Sequence, residues 1–275
     1  MNSRSGAADR RQFGGCRQRF GNYVMQGVDV TERVIVVTGA GSGIGRSMAT
    51  GLLDAGHHVV LTGRARDKLD ETAHGHEHAL VVPADVSSPQ SVHDLFAVVA
   101  ERFGRVDVLV NNAGTFGPSG AVDEIDPEDW DRTVATNLTG VFLCSREAVR
   151  MMKTQTPCGG RIINNGSLSA HTPRPASVAY TATKHGVSGL TKSIALDGRD
   201  HDICCTQIDI GNAATAMTEG IGQSARQPDG SLRAEPTFDP RYVADAVTRL
   251  VELPLDVTVP TMTIMATGMP YIGRG

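Results

Sequence analysis

Aromatic side chains are scarce in this chain: Phe, Trp and Tyr make up 4% of its 275 residues, and Trp130 is the one tryptophan. There are five cysteines, an odd number and too few for a disulfide framework. No apolar run approaches the roughly 20 residues a helix needs to cross a bilayer. The first residues, MNSRSGAADRRQFGGCRQRFGNYVMQG, are rich in arginine and hold no apolar core of a secretory signal. Charge of one sign is also missing. Lys and Arg total 26 against 30 Asp and Glu, a formal net charge of −4. Such a surface has no field with which to grip nucleic acid or an anionic membrane, so neither is expected as a partner. A cytoplasmic location is the matching expectation.

Apolar residues (40%) and charged residues (20%) are sufficient for a core and a surface, which excludes a mostly disordered chain. From Val34 onward, short Val- and Ile-rich runs alternate with longer amphipathic stretches. The runs are VIVVT (34–38), HVVLT (58–62), ALVV (79–82), VDVLV (106–110), RIIN (161–164), ICCTQI (203–208) and MTIMA (262–266). Near-continuous apolar strands of this length suit a parallel sheet covered on both faces. Between them the spacing predicts helices over Ile44–Ala55, Ser91–Phe103, Pro127–Lys153, Ser177–Asp200 and Asp239–Glu252. Asp239 and Pro240 supply a cap and a first-turn proline for the last of these. The alternation predicts one α/β domain over 28–275, with a seven-stranded, mostly parallel, doubly wound sheet and helices on both faces. Residues 1–27 read as a disordered N-terminal extension.

Glycine is abundant, with 31 residues, and it clusters. The first strand runs into Thr38-Gly39-Ala40-Gly41-Ser42-Gly43-Ile44-Gly45, and a helix follows. Glycines there let main-chain N–H groups approach a diphosphate, and the helix N-terminus adds partial positive charge. The spacing is G-x-x-x-G-x-G on Gly39, Gly43 and Gly45, with Ser42 and Ile44 between them. The more familiar G-x-G-x-x-G does not fit, because Arg46 stands three residues after Gly43. The second strand ends at Gly63-Arg64, with no carboxylate at the tip to hold a ribose 2′-hydroxyl. The nearest acid, Asp67, falls in the next helix. A guanidinium at Arg64 pairs well with a 2′-phosphate, so NADP is favoured, with NAD as the alternative.

Ser167, Tyr180 and Lys184 make a second cluster. Tyr180 and Lys184 stand four residues apart on a predicted helix, which puts phenol and ammonium on one face. A nearby cation is expected to lower the tyrosine pKa from about 10 and let it exchange a proton with a substrate oxygen. Ser167 would hold the same oxygen.

The glycine turn, Asn111-Asn112-Ala113-Gly114 after the fourth strand, Asn137, Ser167, Tyr180 and Lys184 occur in one order on one chain. In this the sequence resembles the short-chain dehydrogenase/reductase family over about residues 32 to 267. The resemblance implies a Rossmann-type domain and hydride transfer between NAD(P) and a carbonyl or alcohol substrate. It implies Tyr180 as general acid/base, Lys184 on the nicotinamide ribose, Ser167 on the substrate oxygen, and Asn137 holding a relay water. It implies Asp85 and Val86 beside the adenine, and Asn112, Ala113 and Gly114 against the adenosine ribose. It further implies Gly211, Ala213 and Thr215 on the carboxamide and phosphate side. There the usual Pro-Gly-x-Val-x-Thr reads Ile210-Gly211-Asn212-Ala213-Ala214-Thr215, and loss of the proline predicts a less rigid loop. The segment 216–237 would cap the substrate, with Met217, Ile221 and Leu232 as its apolar lining. Ser169, His171 and Met217 are the candidate substrate contacts. A homotetramer or homodimer through the two long middle helices is also implied.

His74, His76 and His78 suggest a metal tract only if extended, and they read as a solvated loop with no metal site. Cys204 and Cys205 read as small core residues, and Asn164 and Asn165 as supports of the site. Two rival functions share the motifs. A dinucleotide-sensing binding protein would not need the Ser-Tyr-Lys-Asn set. A sugar-nucleotide epimerase or dehydratase would need an added substrate domain, and few residues follow Thr215.

Overall fold

The computed structural model describes residues 32–271. The expectation of a disordered extension over 1–27 lies outside the described residues. The sheet is built from β1 (Val34–Thr38), β2 (His58–Gly63), β3 (Ala79–Pro83), β4 (Val108–Asn111), β5 (Gly160–Asn165), β6 (Ile203–Ile210) and a last strand at Thr261–Ile264. Its order is β3-β2-β1-β4-β5-β6 and then the last strand, and every pairing is parallel. The sheet is therefore wholly rather than mostly parallel. The order reverses direction at β1, which leaves a crevice at the carboxyl ends of β1 and β4.

Alternation along each strand divides the core. Val34 and Val36 pack with one face, Ile35 and Val37 with the other. On the second face lie α1 (Gly43–Asp54), α2 (Arg66–Ala73) and α8 (Arg241–Glu252); on the first lie α3 (Pro89–Phe103), α5 (Gly140–Thr154) and α6 (Val178–Asp197). Helix ends follow local chemistry. Ser88 accepts a hydrogen bond from the Ser91 N–H at 3.3 Å with Pro89 behind it, and α3 stops at Gly104. Asp239 accepts from the Arg241 N–H at 2.8 Å just ahead of α8, whose N-cap is Pro240 and which begins two residues later than expected.

Two predicted helices need correction. Pro127–Lys153 is not one α-helix: α4 (Pro127–Val134) passes into α5 through a π-helical turn at Ala135–Thr139. Hydrophobic periodicity does not register one extra residue in a turn. The helix expected to hold Asp67 is present as α2; its exposed face is nearly all charged and only Leu69, Thr72 and Ala73 are buried, so apolar periodicity does not mark its bounds. The predicted helix Ser177–Asp200 ends at Asp197, and a 3₁₀ turn, Arg199–His201, follows. The predicted cap is structured: α7 (Glu219–Gln223) precedes a two-stranded antiparallel ribbon of β7 (Ala225–Arg226) and β8 (Leu232–Arg233), which makes the last sheet strand β9. Leu232 is exposed rather than part of a lining.

His74 and His76 are exposed in the loop before β3, and the His78 ring stacks on His58 with centroids 4.5 Å apart. Among the described residues no group of His, Cys, Asp and Glu is arranged to hold a metal ion. No helix among them is long and apolar enough to cross a membrane. Cys204 and Cys205 are both buried.

Candidate active site

The carboxyl ends of the strands surround a cleft of about 380 Å³. At one end the chain turns off β1 into α1. Gly45 is required there by close approach: a Cβ would lie 2.1 Å from the Gly39 carbonyl oxygen and 2.4 Å from Asn112 Nδ2. Asn112 locks the turn from the other side, donating through Nδ2 to the Thr38 carbonyl at 3.0 Å. The Thr38 hydroxyl accepts from the N–H groups of Asn112 and Ala113 at 2.9 and 3.0 Å. Ser42 precedes α1 with an exposed side chain that makes no capping bond, and the first turn holds no acid. The first N–H groups of α1 therefore face the cleft without a competing anion.

Gly39, Ser42, Gly43, Ile44, Gly45, Arg64, Asp85, Val86, Asn112, Ala113, Gly114, Gly211, Ala213 and Thr215 all line this cleft. The turn, the uncapped helix start and the narrow backbone approach fit a dinucleotide. Asp85 is held below the usual carboxylate range mainly by hydrogen bonds from Ser87, with the Arg64 charge adding to the effect. Lys68, which sequence reasoning passed over, lines the same end. Its signal was legible, since it follows Arg64 by four residues. Arg46 is committed elsewhere, to the Gly41 carbonyl at 2.8 Å and to Glu71 at 2.9 Å.

The loop after β6 is not left loose by the missing proline. Ala214 donates to the Phe238 carbonyl at 2.7 Å, Phe238 donates to the Asn212 carbonyl at 3.1 Å, and the Thr218 hydroxyl bonds to the Ala213 carbonyl. The expected loosening is thus offset by pairing with the segment before α8.

Ser167, Tyr180 and Lys184 converge at the other end. Ser167 stands two residues past the end of β5 and opens a 3₁₀ turn, where its Oγ accepts from the Ser169 N–H at 3.1 Å. Tyr180 and Lys184 lie one turn apart near the start of α6. The Tyr180 ring packs on Phe116 with centroids 4.8 Å apart. The buried Lys184 donates to the Asn165 carbonyl at 2.7 Å, and its Nζ is 5.5 Å from the Tyr180 ring centre. Asn137, on the π turn, is buried. Its Oδ1 accepts from the Thr115 N–H at 2.8 Å, and its Nδ2 donates to the Thr115 carbonyl at 2.7 Å and to the Thr183 hydroxyl at 3.3 Å. It ties the chain after β4 to α6.

The electrostatics correct one expectation. Burial pushes the Tyr180 phenol up; a hydrogen bond with Ser167 and the Arg174 charge pull it down, and Asp209 pushes it further up. The net direction is upward, so the phenol is held in its protonated form. Desolvation is the largest influence and outweighs the pull of Ser167 and Arg174. Burial likewise lowers Lys184 to about 8, while Asp209 opposes that shift.

Among the candidate substrate contacts, Ser169 and Met217 line the cleft. His171 does not; its Nε2 lies 2.8 Å from Asp209 Oδ2. The sequence motifs give no sign of Arg174, Asp209 or Phe116, of which Arg174 and Phe116 line the cleft together with Met269. Arg174 forms a two-pronged pair with the buried Glu235, at 3.1 and 2.6 Å, and donates to Asn212 at 3.0 Å. Asn164 and Asn165 do support the site: Asn164 bonds Asn111 at 2.9 Å and Asn165 bonds Asn112 at 2.9 Å.

Comparison with known proteins agrees with this geometry. A family model described as short chain dehydrogenase matches residues 33–226. A 3beta-hydroxysteroid dehydrogenase of Mediterraneibacter gnavus is 38% identical over 204 residues, covering 73% of this chain and 72% of that protein. A crystal structure of 3-ketoacyl-(acyl-carrier-protein) reductase from Brucella melitensis complexed with NADH superposes with a TM-score of 0.75 at 28% identity, covering 86% of this chain and 97% of that one. Actinorhodin polyketide ketoreductase with NADPH gives 0.74 at 31% identity, covering 88% and 98%. The chain belongs to the short-chain dehydrogenase family and is an NAD(P)-dependent oxidoreductase that transfers a hydride between the nicotinamide cofactor and a carbonyl or alcohol substrate.

Proposed function

We propose that this enzyme is an NADP-preferring reductase or dehydrogenase in which Tyr180 is the general acid/base. The observation that carries the reading is the convergence of Ser167, Tyr180 and Lys184 at one end of the cleft whose other end carries the glycine turn. When bound, the cofactor supplies or accepts the hydride. In reduction, the protonated Tyr180 hydroxyl gives its proton to the carbonyl oxygen, and Ser167 holds that oxygen in line. Lys184 binds ribose hydroxyls and stabilises the phenolate left behind. Asn137 holds a relay water on the Lys184 side. Asp85 and Val86 flank the adenine, and Asn112, Ala113 and Gly114 support its ribose. Gly211, Ala213 and Thr215 receive the carboxamide and phosphate. Ser169 and Met217 touch substrate under the cap at 216–237.

The exposed cations Arg64 and Lys68 at the adenosine end support NADP. Both present charge to a 2′-phosphate, and Asp67 lies off the cleft wall on the first turn of α2. Fluorescence titration tests this: NADPH should bind more tightly than NADH, and Arg64→Asp should reverse the order. Tighter binding of NADH by the wild-type enzyme would overturn the assignment. For the chemistry, NADPH oxidation is followed across a panel of aldehydes and ketones. Tyr180→Phe should lose at least about 100-fold in turnover and still bind NADPH; full activity in that variant would sink the mechanism. Pairing through α5 and α6 into a homotetramer or homodimer, and a cytoplasmic location, belong to the same reading. Fractionation of expressing cells checks the location.

A further inference from the structure

β6 is buried at all eight positions, yet it carries Gln207 and Asp209 two residues apart. Alternation places both on one face of the sheet. Asp209 is 1% exposed. Its Oδ1 accepts from the Ser167 main-chain N–H at 2.9 Å and from Gln207 Nε2 at 2.7 Å, and its Oδ2 lies 2.8 Å from His171 Nε2. A Cβ on Gly166 would fall 2.1 Å from that Oδ1, so the chain leading into Ser167 passes directly over the carboxylate. A carboxylate this buried needs every such donor.

The charged and titratable groups around it are few. Lys184 comes from α6, and its ammonium, hydrogen-bonded to the Asn165 carbonyl, feels the Asp209 charge. Tyr180, on the same helix, feels it too, while Arg174 acts on Tyr180 from the loop after the 3₁₀ turn. His171 is the outer neighbour, with its side chain 46% exposed.

We propose that Asp209 is a positioning residue of this site: its carboxylate fixes the main chain of Ser167 and is the buried counter-charge of the Lys184 ammonium, with His171 supporting it from the solvent side. The proposal rests on the reading of Ser167, Tyr180 and Lys184 as the reacting set. Asp209 touches neither substrate nor cofactor. It acts through Ser167, whose main chain it holds, and through Lys184, whose charged form it favours against the effect of burial.

The test is an NMR titration of Lys184 in the full-length protein labelled with ¹³C at lysine Cε. The chain has four lysines, Lys68, Lys153, Lys184 and Lys192, and Lys184→Arg identifies the signal. The wild-type midpoint is expected at about 8. Asp209→Asn keeps the shape and an acceptor for the Ser167 N–H but removes the charge, so the Lys184 midpoint should fall by about half a unit or more. His171→Leu removes one donor from the carboxylate and leaves its charge less offset, so the midpoint should rise. An unchanged midpoint in both variants would overturn the proposal. Should Asp209→Asn fail to fold, His171→Leu decides alone: a rise supports the proposal, and no change refutes it. No turnover is measured, so failure here is distinct from failure of the NADP or Tyr180 assignments.

Discussion

Lys184 is a cation that the fold works against. Its value of about 8, against an ordinary 10.5, comes from burial. A depressed lysine prefers its neutral form in the folded state, so at neutral pH the folded protein carries the cost of keeping it charged. That cost is about 3 kcal/mol. It is fully present below pH 8 and disappears as pH rises from there to 10.5. Lys184→Met should therefore raise stability to chemical denaturation at pH 7, lose the advantage by pH 10.5, and cost most of the turnover. Denaturant curves at the two pH values check this; a variant destabilised at both would contradict it. Tyr180 points the same way, since burial keeps its phenol protonated until a substrate oxygen needs the proton. Burial thus shifts both titrating groups of the reacting centre toward their neutral forms.

At the scale of elements, the cap is tied down by one ionic cluster. Burial pushes the Glu235 carboxyl up, but hydrogen bonds from Arg174, Gln227 and Asn212 outweigh it and bring it to about 2. A carboxylate depressed in the folded state stabilises above its ordinary 4.5 and loses that contribution as pH falls toward 2. The cluster joins the cap ribbon, the loop before α6 and the loop after β6. Glu235→Gln takes the carboxylate from the half-buried Arg174 guanidinium and leaves it Asn212, at a cost of about 3 kcal/mol. Limited proteolysis should then cut within 216–237 first, and cofactor binding should weaken; an uncut cap would argue against the cluster as its anchor. Most elements were legible beforehand, because Val- and Ile-rich runs and 3.6-residue spacing report burial directly. The π turn at Asn137 and the cluster around Glu235 were not. The first needs one residue of extra winding, and the second joins positions about 60 residues apart, Arg174 to Glu235.

For the whole molecule, the parallel sheet hides its strands under helices on both faces, yet α5 and α6 are among the helices that keep apolar groups outside. Phe142 on α5 is 49% exposed and Leu196 on α6 is 60% exposed. A pairing of copies through these helices would cover them. Sedimentation should give a mass above one chain, and Phe142→Glu with Leu196→Glu should shift it toward the monomer. A wild-type monomer would remove the basis for that assembly.

The amino-acid order by itself determined the strand-and-helix alternation, the glycine turn and the Ser-Tyr-Lys spacing, because each is a local pattern set by backbone periodicity or by neighbours within a turn. Only the tertiary structure decided which way the buried charges act. It turned His171 away from the cleft to Asp209, raised rather than lowered the Tyr180 phenol, and paired Arg174 with Glu235. Desolvation and ion pairing depend on what surrounds a group in space, and those neighbours come from strands and loops far apart along the chain.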